Sequence, residues 1–399
     1  MGSDDMTSDC ASAGAPRRPG GLAGPALGAL IAELQSYGAQ LEQPEGRRGG
    51  AGPSDAGLVW IEGVRVTLPF VAEYTSRSPF RLRQGDGGWE LLRDGERIAS
   101  ASVLSRPRFY DLETSDGIPY YKIALLHIDS LASTVIQTCR HWGTPDQCTF
   151  CGIQVSLDSR ATVAVKRPEQ LAEVASAAQR LDTVADVTLT TGTTGAADKG
   201  ALYLGRCAEA IKAATGLPIQ VQFEPPDDLS VLEVIKAQGV DSVGIHVESF
   251  DPDVLARVAP PKARTGIEGY FKAWRRAVEV FGHGQVSTYV ILGMGEDPAI
   301  TVEGCKRAVD EGVYPFVVPL RPVDGSLMAD WLPPEPDYAE SIYRQVGPYI
   351  AQRGLTAGDV AAGCARCQAC SGIAAFETFE ESRSTDEMAR RSLPLVVGR

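Results

Sequence analysis

An α/β chain is predicted, centred on a partial barrel of six parallel strands. A β-rich accessory region precedes the barrel and a cysteine-bearing extension follows it. Three observations predict this. Between residues 131 and 330 six apolar strand candidates alternate with helical patterns. A loop with three cysteines follows the first of these strands directly. The stretch before it carries paired strand patterns joined by turn signals, with no helices between them.

The elements follow in order. Residues 1–28 are rich in Gly, Ala, Pro and Ser and are expected to form a disordered tail. Ala29 to Tyr37 has the apolar spacing of a short helix. Arg47-Arg48-Gly49-Gly50-Ala51-Gly52 reads as a flexible loop rather than an anion-binding turn. The accessory region spans 29–130. Within it Leu58–Ile61 and Val64–Thr67 flank Glu62-Gly63, Phe80–Arg83 and Trp89–Leu92 flank a Gly-rich turn, and Lys122–Leu126 reads as a further strand. In the barrel, at 131–330, the strands are Thr134–Gln137, Val187–Thr190, Ile219–Phe223, Ser242–Val247, Ser287–Leu292 and Phe316–Leu320. Helices at Pro168–Leu181, Leu202–Ala214, Leu229–Gln238, Gly269–Phe281 and Ala299–Glu311 separate them, as right-handed crossovers require. In such barrels working residues gather at the C-terminal ends of strands. A helix over Tyr338–Gln352, a second cysteine triplet and a polar tail fill 331–399.

Bulk properties exclude several classes. With 399 residues, 44% hydrophobic, the chain can bury a large core. Its net charge of −13 disfavours general nucleic-acid binding. No apolar run spans a membrane, and the acidic N-terminus lacks signal-peptide and myristoylation patterns. A cytoplasmic protein with no membrane or nucleic-acid partner is expected.

Six of the nine cysteines fall in two tight triplets, which in a reducing compartment points to metal. Cys207 and Cys305 sit in helical patterns and read as buried apolar residues. Cys139, Cys148 and Cys151 share one loop, and three thiolates on a 4Fe–4S cube leave one iron open to a small molecule. A zinc loop completed by His141 is the alternative. Cys364, Cys367 and Cys370 have ferredoxin-like spacing, with a zinc knuckle as their alternative.

The first loop resembles the cluster loop of radical S-adenosylmethionine (SAM) enzymes. Cys148-Thr149-Phe150-Cys151 keeps the family form, whereas the usual C-x3-C gap is here C-x8-C. The resemblance implies a SAM-binding 4Fe–4S cluster on Cys139, Cys148 and Cys151. It implies reductive cleavage of SAM to a 5′-deoxyadenosyl radical that abstracts hydrogen from a small-molecule substrate. Later strand ends extend the likeness. Thr191-Gly192-Thr193 stands where the family binds SAM's amino group. His246, Glu248 and Ser249 resemble the ribose-contacting segment of biotin and lipoyl synthases. Ile291 and Gly293 fall on the element near the adenine. Leu320 and Arg321 end the sixth strand. Arg321 is expected at the barrel mouth, holding an anionic substrate or SAM's carboxylate, with Glu224 also at the mouth.

The chain is most similar to the radical SAM family encoded beside a nitrilase, through stretches such as Gln220–Pro226, Gly239–His246 and Val313–Pro322. By this reading the second triplet holds an auxiliary 4Fe–4S cluster, its fourth ligand left open among a distant side chain, a water and the substrate. Sulfur insertion from that cluster is the expected reaction, with a flavodoxin- or ferredoxin-type reductant. Oxidation or rearrangement with the auxiliary cluster passing electrons is the alternative, and a non-catalytic iron–sulfur scaffold or a zinc-stabilised hydrolase stand behind it.

Overall fold

The computed structural model describes residues 22–41, 56–85 and 87–377. The expected Arg- and Gly-rich loop, Cys10 and the polar C-terminal tail lie outside these residues. Among the described residues no helix is long and apolar enough to cross a membrane.

Helix α1 (Gly24–Tyr37) comes first. It begins inside the stretch expected to be a tail, because Leu27, Leu30, Ile31 and Leu34 bury one apolar face. A six-stranded sheet follows: β1 (Gln40–Leu41), β2 (Ala56–Ile61), β3 (Val64–Pro69), β4 (Phe80–Gly85), β5 (Gly88–Arg93) and β6 (Glu96–Val103). Its order is β1-β4-β5-β6-β2-β3, antiparallel except for β1 on β4. Two tight hairpins organise it. Glu62-Gly63 and Asp94-Gly95 both take positive φ at successive residues, which matches the right-handed strand twist. The sequence reading missed β6, whose run has few large apolar residues.

The second sheet is the barrel. A 3-10 turn at Tyr120–Lys122 and the short β7 (Leu125–His127) replace the expected strand at 122–126. β7 pairs antiparallel with β8 (Ser130–Ile136). Then come α2 (Val155–Asp158), α3 (Pro168–Leu181), β9 (Asp186–Thr191), α4 (Ala201–Thr215), β10 (Ile219–Gln222), α5 (Val231–Ala237) and β11 (Ser242–Gly244). They are followed by α6 (Pro252–Val258), α7 (Pro260–Thr265), α8 (Ile267–Phe281), β12 (Val286–Leu292), α9 (Pro298–Asp310) and β13 (Val313–Pro319). After the barrel come α10 (Pro336–Gln352) and α11 (Cys364–Cys367). Strands β8 to β13 are parallel and adjacent in sequence order, and β7 and β13 are the two free edges. This is the expected partial (βα)6 barrel. The core lies between sheet and helices, with Tyr270, Phe271 and Trp274 of α8 fully buried.

Two features position the site. β11 ends three residues short of expectation. Beyond Gly244 the main chain leaves the regular ladder: the Val247 N–H goes to Thr288 Oγ1 (3.0 Å), and the Tyr289 N–H goes to His246 Nδ1 (3.1 Å). Glu248 takes φ +70°, uncommon for a residue with a Cβ. The second feature is the seam of the open barrel. β3 touches both of its sides. Arg65 pairs with Asp129 beside β7 (2.6 Å), and the Thr67 carbonyl accepts from Arg321, just after β13 (3.1 Å).

Candidate active site

The first cysteine loop leaves the C-terminal end of β8. Gln137 is buried there and donates from Nε2 to the Ile153 carbonyl (2.6 Å), which ties the two ends of the loop together. Lys166 is buried behind it and donates to Gln137 Oε1 (3.1 Å). Burial without a carboxylate partner pulls the Lys166 ammonium down to about 7. The loop's outer part is clamped by Arg264, which meets both oxygens of Asp146 (2.9 and 2.7 Å), and by the Thr149 N–H on the Val258 carbonyl (2.8 Å). Gly192 lies under the loop. A Cβ there would stand 2.1 Å from the Thr138 carbonyl, so only glycine allows this approach.

Cys139, Cys148 and Cys151 line a cavity of about 380 Å³, together with Thr191, Gly192, Thr193, Glu224, His246, Glu248 and Lys262. Lys262 is the residue that sequence reasoning missed. It sits on α7, a six-residue helix too short for an apolar periodicity to betray it. All three of its ammonium protons are used, on Glu224, on Glu248 (3.3 Å) and on the His246 carbonyl (2.6 Å). Burial opposes its charge, but Glu224, Tyr270 and Glu248 outweigh burial and hold it well above the usual lysine range. Tyr270 adds a hydrogen bond to Glu224 (2.6 Å). Burial raises the Glu248 carboxyl and Lys262 counters it. Lys262 thus fixes two carboxylates at the cavity wall and keeps no proton for a ligand.

The second triplet lies inside the same barrel, lower down. The C-terminal segment passes under the N-terminal ends of the strands. The Gly363 N–H and the Arg366 guanidinium both reach Asp186, the fully buried first residue of β9. Arg366 also binds Asp129 (2.7 Å), Ser242 donates to the Ala362 carbonyl (3.1 Å), and Ser371 donates to the Val317 carbonyl. Cys364, Cys367 and Cys370 line a cavity of about 300 Å³ with His127, Gln222, Tyr289, Phe316 and others. Gln222 Nε2 lies 3.5 Å from the Cys364 sulfur, the Tyr289 hydroxyl faces the same sulfur, and Thr67 Oγ1 lies 3.4 Å from Cys370. The two cavities share Thr190, Gln222, His246 and Glu248 as a common wall.

The remaining candidates lie elsewhere. Ser249 is buried and its Oγ accepts the Asp251 N–H (3.2 Å). Gly293 donates its N–H to Glu296 (2.7 Å) and packs on Pro334. Ile291, Leu320 and these two line neither cavity. Arg321 departs from expectation. It turns into the seam to satisfy the buried Thr67 carbonyl and does not line either cavity. His141 lies 3.9 Å from Asp146, outside both cavities. Among the described residues no three His, Cys, Asp or Glu side chains are gathered for a single metal ion.

Residues 143–306 match the radical SAM superfamily. The matched span includes Cys148 and Cys151 and starts after Cys139. Bacteriochlorophyllide c C-7(1)-hydroxylase of Chlorobaculum limnaeum is 35% identical over 124 residues, 31% of each chain, so the match spans about a third of that relative's length. Among solved structures, methylornithine synthase aligns with TM-score 0.45 at 14% identity, over 67% of this chain and 78% of its own. A radical SAM methyltransferase from Sphaerobacter thermophilus aligns with TM-score 0.41 at 15% identity, over 74% and 81%.

The donor sets fit iron–sulfur groups. Burial pushes the Cys148 and Cys151 thiols up to about 12 and 11, and Cys364 and Cys367 up to about 11 and 12. Thiolates so buried need a cationic metal centre to be stable. Hydrogen-bond donors already face the sulfur of Cys364, as cluster thiolates require.

Proposed function

We propose that this chain is a radical SAM enzyme that acts on a small molecule held between its two cysteine sets and inserts sulfur into it. One observation carries the reading: both sets open on one barrel lumen through a shared wall. An auxiliary centre that only passes electrons need not share the substrate's cavity, whereas one that reacts with the substrate must.

Cys139, Cys148 and Cys151 would hold the SAM-binding cluster, and Cys364, Cys367 and Cys370 the auxiliary one. When bound, these groups supply the electron that cleaves SAM and the sulfide for insertion. The chain's own residues bind and orient. Thr191, Gly192 and Thr193 offer a close main-chain surface beside the first set. The Glu248 carboxylate, held by Lys262, accepts hydrogen bonds from ligand hydroxyl groups. Ile291 donates its N–H to the Glu248 carbonyl (2.8 Å) and braces this wall from behind. His246 presents Nε2 to the shared region. With Arg321 in the seam and Lys262 neutralised, no uncommitted lysine or arginine among the described residues lines either cavity, which favours an uncharged substrate over an anionic one. The electron arrives from a flavodoxin- or ferredoxin-type partner.

The hydroxylase relative favours a second reading, oxidation of a C–H bond without sulfur transfer. The test is anaerobic turnover of full-length protein, reconstituted with ³⁴S-sulfide, on a small-metabolite extract, followed by mass spectrometry. Production of 5′-deoxyadenosine with a ³⁴S-labelled product supports sulfur insertion. An oxidised product without label supports the second reading, and absence of SAM cleavage overturns both.

A further inference from the structure

We propose that Gln222 sets the reduction potential of the second centre, as a positioning residue that donates a hydrogen bond to the Cys364 sulfur. The inference rests on the auxiliary-cluster reading above. It starts from a stretch that the proposed reaction leaves without a task, Gln220-Val221-Gln222. β10 ends on these residues, and the alternation of a strand turns both carboxamides to one face. Gln220 is fully buried and Gln222 nearly so. Apolar side chains would fill these positions at less cost, because every buried amide must find partners for its N–H and C=O groups.

The two amides form one chain that ends on a cysteine. Gln220 Nε2 donates to Ser287 Oγ (3.3 Å), and Gln222 Nε2 donates both to Gln220 Oε1 (2.8 Å) and to Cys364 Sγ (3.5 Å). Both N–H groups of Gln222 are therefore used. The chain is braced from the cysteine side as well. Gly363, just before Cys364, takes φ +96°, and a Cβ there would stand 2.0 Å from Gln220 Oε1. The Gly363 N–H is fixed on Asp186 (2.9 Å). The main chain at Gly363 thus presses against the same amide that orients Gln222.

The direction of this chain is what a thiolate selects. Ser287 can donate as well as accept, so the three side chains would also be satisfied with both amides turned over. Gln222 would then set Oε1 against the sulfur, and a carbonyl oxygen repels a thiolate. A metal-bound Cys364 favours the observed direction, with N–H toward sulfur. Such a bond stabilises the negative charge that grows on the sulfur when a cluster is reduced, so it raises the potential. Burial strengthens the effect. Gln222 also lines the cavity of the first set, so the group that tunes the second centre stands on the wall that both sets share.

The test uses full-length protein carrying Cys139→Ala, Cys148→Ala and Cys151→Ala, so that only the second cube assembles on anaerobic reconstitution with iron and sulfide. Its midpoint potential is read by redox titration followed by EPR. Gln222→Leu is expected to shift the one-electron equilibrium about tenfold toward the oxidised form, a midpoint lower by ~59 mV. The Tyr289 hydroxyl faces the same sulfur, so the two donors are separated by pulsed EPR after exchange into deuterium oxide. A deuteron coupled to the reduced cube is expected to survive in Tyr289→Phe and to vanish when Gln222→Leu is added. Gln222→Glu keeps the size of the side chain, replaces the donor by a carboxylate and is expected to lower the midpoint further, which holds the test open if Gln222→Leu assembles no cube. A cube whose midpoint does not fall in either variant overturns the tuning role alone. Loss of the cube in both variants also overturns it, since Gln222 would then be needed for assembly. Failure of any second cube to form with Gln222 in place, with a single cube in the unsubstituted protein, overturns the auxiliary-cluster reading and the tuning role with it.

Discussion

The two cysteine sets face one lumen but are built in opposite ways. The first lies on one loop at the C-terminal end of β8, and its clamps come from the β11–β12 crossover: Arg264 on Asp146 and Val258 on Thr149. The second arrives from the far end of the chain and is held from many directions, by Asp186 of β9, Asp129 beside β7, Ser242 of β11, Val317 of β13 and Thr67 of the N-terminal sheet. The difference shows where each set's geometry is stored. The thiols of the first lie on one local stretch of chain, Cys139 to Cys151, as a barrel-top loop allows. The second exists only when the barrel, the C-terminal extension and the N-terminal sheet are all in place.

Breaking the first set gives the largest effect. Cys148→Ala or Cys151→Ala is expected to abolish 5′-deoxyadenosine formation while one cube's worth of iron remains on the second set, measured by iron content and chromatography. Either variant keeping both cubes would erase the contrast between the sets.

Arg366→Ala is the complementary break. It leaves Asp186 buried without a counter-charge, at a cost of about 3–5 kcal/mol. Urea unfolding is expected to show that loss, and the second cube is expected to fail to assemble while the first forms. Equal loss of both cubes would mean that the sets are not separately supported.

Lys262→Met acts on the wall between them. Glu224 and Glu248 would then face each other without a cation, and one would take up a proton. SAM cleavage is expected to fall roughly 10–100-fold with both cubes intact, a transition-state loss of about 1.4–2.7 kcal/mol. An unchanged rate would remove the lysine from the site.

Lys166, behind the first loop, gives the smallest and pH-dependent effect. Burial depresses its ammonium from the usual lysine value of 10.5 to about 7 in the folded chain. Between these values the unfolded chain binds a proton that the folded chain does not, so stability falls as pH drops from about 10 toward 7. Lys166→Met should flatten that slope and raise stability near pH 7 by ~2 kcal/mol, read from urea midpoints across the range. A steeper slope in the variant would contradict the assignment.

Much of the fold was legible because parallel strands buried on both faces read as apolar runs, and crossover helices carry their own periodicity. Helix α3 falls on its expected residues, Pro168–Leu181. The elements that escaped are those whose form comes from their neighbours. α6 and α7 are helices of only seven and six residues, each opening on a proline, and β6 has a weakly apolar face sheltered by β2 and β5. Within the site the cysteines, Thr191–Thr193, Glu224, His246 and Glu248 were visible as strand-end residues. Lys262 was not, because a lysine in a short turn looks like surface until the fold buries it.

By itself the sequence determined the alternation that makes the barrel, the two thiol sets and the carboxylates at strand ends, since all of these are local patterns of residue type and spacing. Only the tertiary structure decided that the second set lies inside the barrel, that Arg321 turns into the seam while Lys262 turns inward, and that Gln222 meets the Cys364 sulfur. Each of these depends on which segments of the chain the fold brings together, and the pairing between them is governed by the energetic cost of leaving buried polar groups unpaired.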